Sequence, residues 1–349
     1  MLVVKSPLRV SFLGGGSDYP EFFTSTKGSV FGCSINLYVY IMALPLPPFA
    51  DEKIRFTYRK TESVSKVSEL QHPVVREILR RYDYSQPINI ATMADVSGNS
   101  GLGSSSSFTV GTLLLFRKFL TMPIDQESLA SEAVDIERKV LLEEGGYQDQ
   151  YFAAFGGLRK FEFNDFGVTN PINFETSTFL KTIERYMLLI PFGGGRNSNV
   201  FAKKHVSAIQ NREVSNRLKE LVQLTDEVVK RIDQRPNESS TLDYFLSAIR
   251  ESWKIKVMNS ADGDLITANR YIQGAIEYGA VAGKLCGAGS SGFILLFCEP
   301  GRQNSLLLKL GVKNYLRPKI DLLGARFIDN DLQDQNLIND IWDKNRWSL

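Results

Sequence analysis

Residues 97–107 read SGNSGLGSSSS, and their flanks limit the fold more than any other stretch of the chain. Ile88–Met93, before the loop, has the residues of a buried strand, and the apolar run Phe108–Leu120 after it continues a helix that starts near Ser104. A strand turning through glycines straight into a helix presents unpaired N–H groups and a partial positive charge, which suit a phosphate. Gly98, Gly101 and Gly103 let the backbone approach closely, and Ser104 to Ser107 offer hydroxyls to phosphate oxygens or to a magnesium ion. Serine capping of an ordinary helix explains the same residues. From this loop alone the two readings stand level.

Two further small-residue loops, LGGGSDY at 13–19 and CGAGSSG at 286–292, invite comparison with nucleotide motifs. Gly287 to Gly292 fits GxGxxG, but a strand (Phe293–Phe297) follows it where a dinucleotide fingerprint needs a helix. Gly279–Leu285 is one residue short of a P-loop and has Leu285 where Ser or Thr must meet magnesium. Both assignments are excluded.

The 349 residues suffice for two lobes with a cleft between them, and 41 basic against 39 acidic residues leave no excess for a nucleic-acid-binding surface. Three cysteines without CxxC spacing speak against a disulfide framework or zinc site and for a reducing compartment. No apolar run approaches the roughly 20 residues that span a bilayer. The apolar start ends in glycines without a cleavage signal, so a soluble, cytoplasmic protein is expected. His72 and His205 are too few for a multi-histidine metal site.

Strands are expected at 2–13 (one, or a pair broken near Ser6-Pro7), 29–45, 53–58, 88–93, within 156–173, and at 186–191, 293–297 and 324–328. Helices are expected at 73–82, 104–120, 127–142, 198–232, 241–257, 263–278 and 302–311. Without steady βαβ alternation this predicts an α+β fold of two lobes, 1–178 and 179–349.

The order of the loops carries a resemblance. Ser6-Pro7-Leu8-Arg9-Val10 running to Gly14-Gly15-Gly16-Ser17-Asp18, then Gly98 to Ser106, then Lys284 to Gly292, is similar across the whole chain to the GHMP kinase superfamily. Within it, LRVSFLGGGSDYPEFF, GGYQDQYFAAFGG and ESWKIK most resemble the D-glycero-D-manno-heptose 7-phosphate kinases. The resemblance implies a two-lobed fold with a ferredoxin-like carboxy-terminal lobe, ATP and Mg²⁺ as cofactors, and transfer of the γ-phosphoryl group to a sugar or sugar phosphate hydroxyl.

It also implies roles. Gly98, Ser100, Gly101, Leu102, Gly103, Ser104, Ser105 and Ser106 would wrap the triphosphate, with Ser105 and Glu137 facing magnesium. Asp149 would be the catalytic aspartate and Arg9 its basic partner. Gly15, Gly16, Ser17 and Asp18 would meet the substrate, with Asp18 on its hydroxyls, and Gly287, Ala288 and Gly289 would shape the floor. Two residues depart from the family pattern: Ser97 stands where proline is common, and Cys286 where serine or threonine is.

The residue types suit this chemistry. Phosphoryl transfer needs charge neutralisation and in-line positioning, and serine and glutamate are hard oxygen donors of the kind Mg²⁺ takes. Arg9 would keep Asp149 ionised while making it a weaker base, so orienting the hydroxyl and accepting its proton both remain open. Asp18 can also cap a helix starting near Tyr19-Pro20, alone or while binding sugar. Gly193 to Ser198 reads first as a turn and helix cap, with Arg196 as a substrate-phosphate ligand the second reading. Trp253 and Lys254 read as packing and snorkelling residues, and Gln148 as a reader of sugar hydroxyls. Another acceptor, such as a different sugar or a mevalonate-type alcohol, and a non-catalytic binding protein on the same fold are the competing readings; a homodimer is also left open.

Overall fold

The computed structural model describes residues 1–46, 52–98, 100–174, 177–193, 198–235, 239–258, 263–287 and 292–328. Its strands are β1 (Leu2–Leu13), β2 (Gly28–Pro45), β3 (Ile54–Thr57), β4 (Thr61–Val64), β5 (Ile88–Ala94), β6 (Leu158–Asn164), β7 (Gly167–Asn173), β8 (Met187–Phe192), β9 (Ala282–Leu285), β10 (Gly292–Phe297) and β11 (Arg326–Phe327). Its helices are α1 (Pro20–Phe23), α2 (Pro73–Arg81), α3 (Ser104–Phe119), α4 (Gln126–Val134), α5 (Gln148–Phe155), α6 (Thr178–Tyr186), α7 (Ser198–Ile209), α8 (Arg212–Gln234), α9 (Ser239–Met258), α10 (Gly263–Glu277) and α11 (Gln303–Lys309).

The first lobe is one twisted sheet in the order β11-β1-β2-β5-β3-β4. Strand β2 is long enough to serve two partners beyond β1: its start pairs with β6 over Gly28–Cys33 and its end with β5 over Val39–Pro45. Strand β1 runs unbroken through Ser6-Pro7, where the lost N–H is absorbed as a register shift between Pro7 and Leu8. That shift lies just before Arg9. Helix α3 packs on β1 and β2 through a nearly all-round apolar surface, from Phe108 to Phe116, so it is a core helix rather than an amphipathic one.

The second lobe holds the antiparallel sheet β8-β10-β9, and Leu316 bridges to Leu189 on the far side of β8. Counting that bridge as a fourth strand gives the spatial order 4-1-3-2 of a ferredoxin-like sheet, with α7 to α10 inserted between its first two strands. The expected α+β, two-lobed fold is what the chain adopts. The lobes meet on phenylalanines: Phe245 of α9 sits edge-on to Phe12 of β1 at 5.5 Å and to Phe297 of β10 at 5.4 Å. Such pairs add about 0.5–1.5 kcal/mol beyond area burial.

Three differences from expectation have local causes. The segment expected as one helix over 127–142 is α4 followed by a wider π-helical stretch, Asp135–Val140, which turns Glu137 into the interior. Helix α5 escaped notice because its eight residues sit between glycine pairs; burial of Tyr151, Phe152 and Phe155 holds it in place. Strand β9 is four residues long, below the length at which alternation can be read.

Candidate active site

Arg9 projects from β1 under the phosphate-type loop, and its guanidinium is shared between two partners. Nε and Nη2 donate to Oδ1 and Oδ2 of Asp149 at 2.7 and 2.8 Å, and Nη1 donates to the Gly101 carbonyl at 2.6 Å. The fork holds the carboxylate bidentately and fixes the loop to the same group. Burial opposes the charge on Arg9, but the Asp149 carboxylate outweighs it and holds the guanidinium above its ordinary pKa. The Arg9 side chain is 7% exposed and that of Asp149 25%, so the carboxylate, not the guanidinium, is the group presented outward.

Glycine at 103 makes this possible. It caps α3 with φ +78°, and a Cβ there would lie 3.2 Å from Arg9 Cγ and 3.3 Å from Asp149 Oδ2. No side chain caps α3, which leaves the first-turn N–H groups at 104–106 free for an anion. The third glycine loop closes from the other lobe: a Cβ on Gly287 would meet Gly101 Cα at 2.5 Å, and one on Gly101 would meet the Cys286 carbonyl at 2.6 Å. Three segments far apart in sequence therefore touch backbone to backbone at one point.

The serines divide. Ser105 is exposed at the helix start and Ser104 half-buried. Ser106 turns inward and donates to Glu137 Oε2 at 2.9 Å, which also receives Gln150 Nε2 at 2.5 Å. Of the pair expected to face a metal, Ser105 and Glu137, the structure puts Glu137 in contact with Ser106, and Ser105 one helical step away. Ser100 is buried, its hydroxyl accepting from the Leu102 N–H, and Leu102 sits in the core. Gly98 lies beside Arg59, whose Nη2 would be 2.8 Å from a Cβ at that glycine.

Glu137 is 5% exposed, and burial pushes its carboxyl up to about 7. Its Oε1 is buried with no partner among the described residues. An orphaned carboxylate oxygen beside a serine hydroxyl is a hard-donor set of the kind Mg²⁺ takes, and those residues fit such an ion.

The first glycine loop behaves differently from expectation at Asp18. That carboxylate is fully buried and accepts from the Gly16 N–H at 2.9 Å, and from the Gln148 N–H and Nε2 at 3.2 Å each. It ties the loop to the start of α5, one residue from Asp149, and burial raises its pKa. The capping of α1 foreseen for it does not occur; it caps α5 instead. Ser17 is also inward, bonded to the Gly14 and Ser29 carbonyls. In this loop Gly15 is exposed and Gly16 half-buried. A Cβ on Gly15 would lie 3.2 Å from Ser11 Oγ and 3.6 Å from Gln148 Nε2, and both Ser11 Oγ and Gln148 Oε1 are buried without a partner among the described residues. Ser11 was not anticipated; in a strand pattern it is an ordinary inward serine.

Arg196, Ala288 and Gly289 lie outside the described residues. Three further residues near the site were not singled out. His205 of α7 places Nε2 3.2 Å from the Gly16 carbonyl. Lys256 donates to the Gly287 carbonyl at 2.6 Å, and Lys284 to the Phe12 carbonyl at 2.6 Å. Cys286 is buried, and burial raises its thiol, in line with a packing role.

With this geometry in place, the comparisons with known proteins can be set beside it. Residues 68–157, which hold the phosphate-type loop, Glu137 and Asp149, match the model described as the GHMP kinases N terminal domain. The chain carries a GHMP kinase domain. It is 27% identical over 322 residues to the D-glycero-alpha-D-manno-heptose 7-phosphate kinase of Campylobacter jejuni, covering 88% of this chain and 92% of that relative. A solved structure titled a D-glycero-D-manno-heptose 1-phosphate kinase, from Bacteroides thetaiotaomicron, superimposes with TM-score 0.73 at 24% identity, over 94% of this chain and 99% of that one. A Lactococcus lactis galactokinase complexed with galactose superimposes with TM-score 0.68 at 14% identity, over 94% of each chain. The GHMP kinase fold extends over both lobes.

Proposed function

We propose that this GHMP kinase transfers the γ-phosphoryl group of ATP to a sugar phosphate, at the anomeric hydroxyl of D-glycero-D-manno-heptose 7-phosphate. The observation that carries the reading is the Arg9–Asp149 fork placed against the uncapped start of α3. The acceptor hydroxyl then lies at Asp149, opposite the phosphates that the 104–106 N–H groups and the 98–106 loop hold in line.

Asp149 orients that hydroxyl through the carboxylate edge not taken by Arg9 and receives its proton as transfer proceeds; the bidentate Arg9 fixes the carboxylate's position. Glu137, with Ser106 and the exposed Ser105, would hold Mg²⁺, which supplies charge neutralisation on the phosphate oxygens. Gly15 lets the acceptor reach Ser11 Oγ and Gln148 Oε1, both in need of a partner. Gly16, Ser17 and Asp18 act behind that surface, holding the loop to α5. Gly287, with the adjoining Ala288 and Gly289, forms the floor, and Arg196 is retained as a ligand for substrate phosphate.

A cytoplasmic location goes with this reading: Cys33, Cys286 and Cys298 are free, buried thiols, and among the described residues no helix is long and apolar enough to cross a membrane. Whether two chains associate is decided by sedimentation. The division into lobes at 178/179 is likewise our proposal, with β11 returning from the second half of the chain to the first lobe's sheet.

The test is Mg²⁺-dependent ADP release with heptose 7-phosphate, heptose 1-phosphate, mannose, galactose and mevalonate, followed by product analysis. Turnover on heptose 7-phosphate giving the 1,7-bisphosphate supports the reading. Turnover on another acceptor keeps the kinase and replaces its substrate. ATP binding without turnover on any of them leaves a binding protein.

A further inference from the structure

Arg9 is the one cation at the centre of the site whose charge a carboxylate matches. Lys256 and Lys284 lie close enough for Arg9 to oppose the charge on both and for Lys256 to oppose that on Lys284, and among the described residues neither has a carboxylate partner. Lys284 is 7% exposed and uses one N–H on the Phe12 carbonyl. Lys256, half-buried on α9, uses one on the Gly287 carbonyl at 2.6 Å and another, more weakly, on Leu285 at 3.4 Å. An ammonium has three donors, so both retain unused N–H groups.

Two unmatched cations in a buried recess are costly unless an anion joins them. Burial pushes Lys256 down to about 8 and Lys284 to about 7, and an anion bound beside them would favour their charged forms again. Their carbonyl partners locate that charge. Phe12 precedes the 14–18 loop, and His205 reaches the same loop at the Gly16 carbonyl. Gly287 stands at the seam with Gly101, across from the start of α3. Through Phe12 and through His205, whose imidazole feels the Lys256 charge, the lysines face the 14–18 loop, where Ser11 and Gln148 leave polar atoms free; through Gly287, Lys256 also borders the seam with Gly101.

From this placement we infer that Lys256 is a specificity-determining residue, its ammonium binding the phosphate monoester that the acceptor carries away from the reacting hydroxyl, with Lys284 adding positive potential from behind. This rests on the kinase reading above and names the class of acceptor: a phosphorylated sugar in preference to the free sugar.

The experiment compares wild type, Lys256→Met and Lys256→Arg. It measures kcat/KM for heptose 7-phosphate and for the same heptose without phosphate, the KM for ATP, and calorimetric Kd values for heptose 7-phosphate and inorganic phosphate. In Lys256→Met the ratio of kcat/KM, phosphorylated over free sugar, is expected to fall about 10- to 100-fold, mainly through KM, the scale of a lost charged hydrogen bond. Lys256→Arg should recover part of it. Equal losses on both sugars, a raised KM for ATP, or an unchanged ratio would each overturn the inference, since the ammonium would then serve the transferred group, the nucleotide, or neither. If wild type turns over no acceptor, the kinase reading has failed separately. The Kd values then decide: weaker phosphate and heptose 7-phosphate binding in Lys256→Met upholds the anion site, and equal binding refutes it.

Discussion

Asp149 and Glu137 make opposite uses of a carboxylate. Asp149 is held in place by a bidentate arginine and turned outward, so Asp149→Asn should lower kcat by about 10²–10⁴ while leaving the KM for ATP within a few-fold. Steady-state kinetics check this, and a fall smaller than tenfold would remove the proton-accepting role. Glu137 is held inward, with its neutral form favoured by burial. Its folded pKa, about 7, exceeds the unfolded value near 4.5, so the native state binds the extra proton between those limits. Stability from this group is therefore full below about pH 4.5 and falls as pH rises towards 7, by about 3 kcal/mol in all. Glu137→Gln should lose that slope. Urea midpoints of both proteins in metal-free buffer from pH 4.5 to 8 measure it; parallel pH profiles would show that Glu137 titrates normally.

At the scale of elements, the site is made by turns where glycine is required rather than merely tolerated. Gly101 and Gly287 face each other with positive φ and no room for a Cβ, so Gly287→Ala should separate the two loops and cost about 1–3 kcal/mol with a weaker grip on ATP. Gly103→Ala differs, because its new methyl meets side-chain atoms of Arg9 and Asp149 at 3.2–3.4 Å, contacts that can give by a few tenths of an ångström. It too must adopt positive φ, at a cost of about 1–2 kcal/mol. Its expected signature is a loss of kcat exceeding its loss of affinity for ATP. Calorimetric ATP binding beside kcat separates the two; indistinguishable profiles would mean that the glycines serve the loops alone.

The whole molecule is closed by its carboxy-terminal segment. Strand β11 pairs with β1, and Asp321, 5% exposed, accepts from Tyr38 Oη at 2.7 Å, from Arg326 Nη1 and Nη2, and from the Leu323 and Gly324 N–H groups. One hydrophobic core takes in β1, β2, α3, α9 and β10 together. The lobes should accordingly unfold as one cooperative unit despite the cleft. Asp321→Ala, which strands a half-buried phenol and a partly buried guanidinium, should cost about 2–4 kcal/mol and shift the single transition without splitting it. Calorimetry reads both; two resolved transitions would refute the shared core.

The sequence determined the elements that announce themselves locally. Strand β1, long helix α3 and the three glycine loops declare themselves by apolar density, by glycine and serine at a helix start, and by order along the chain. Asp149 and Arg9 were legible through those motifs, and the loops' conjunction named the family. What the tertiary structure decided is which atoms of these residues face which way. Ser106 rather than Ser105 reaches Glu137, because a step of 100° around α3 turns one serine to the core and the next outward. Asp18 supports α5 instead of opening to the cleft, because burial and three N–H donors claim its oxygens first. Lys256 and Lys284 gained meaning only when folding brought α9 and β9 against β1 and left their charges unmatched, a condition set by distances across the chain that no local pattern encodes.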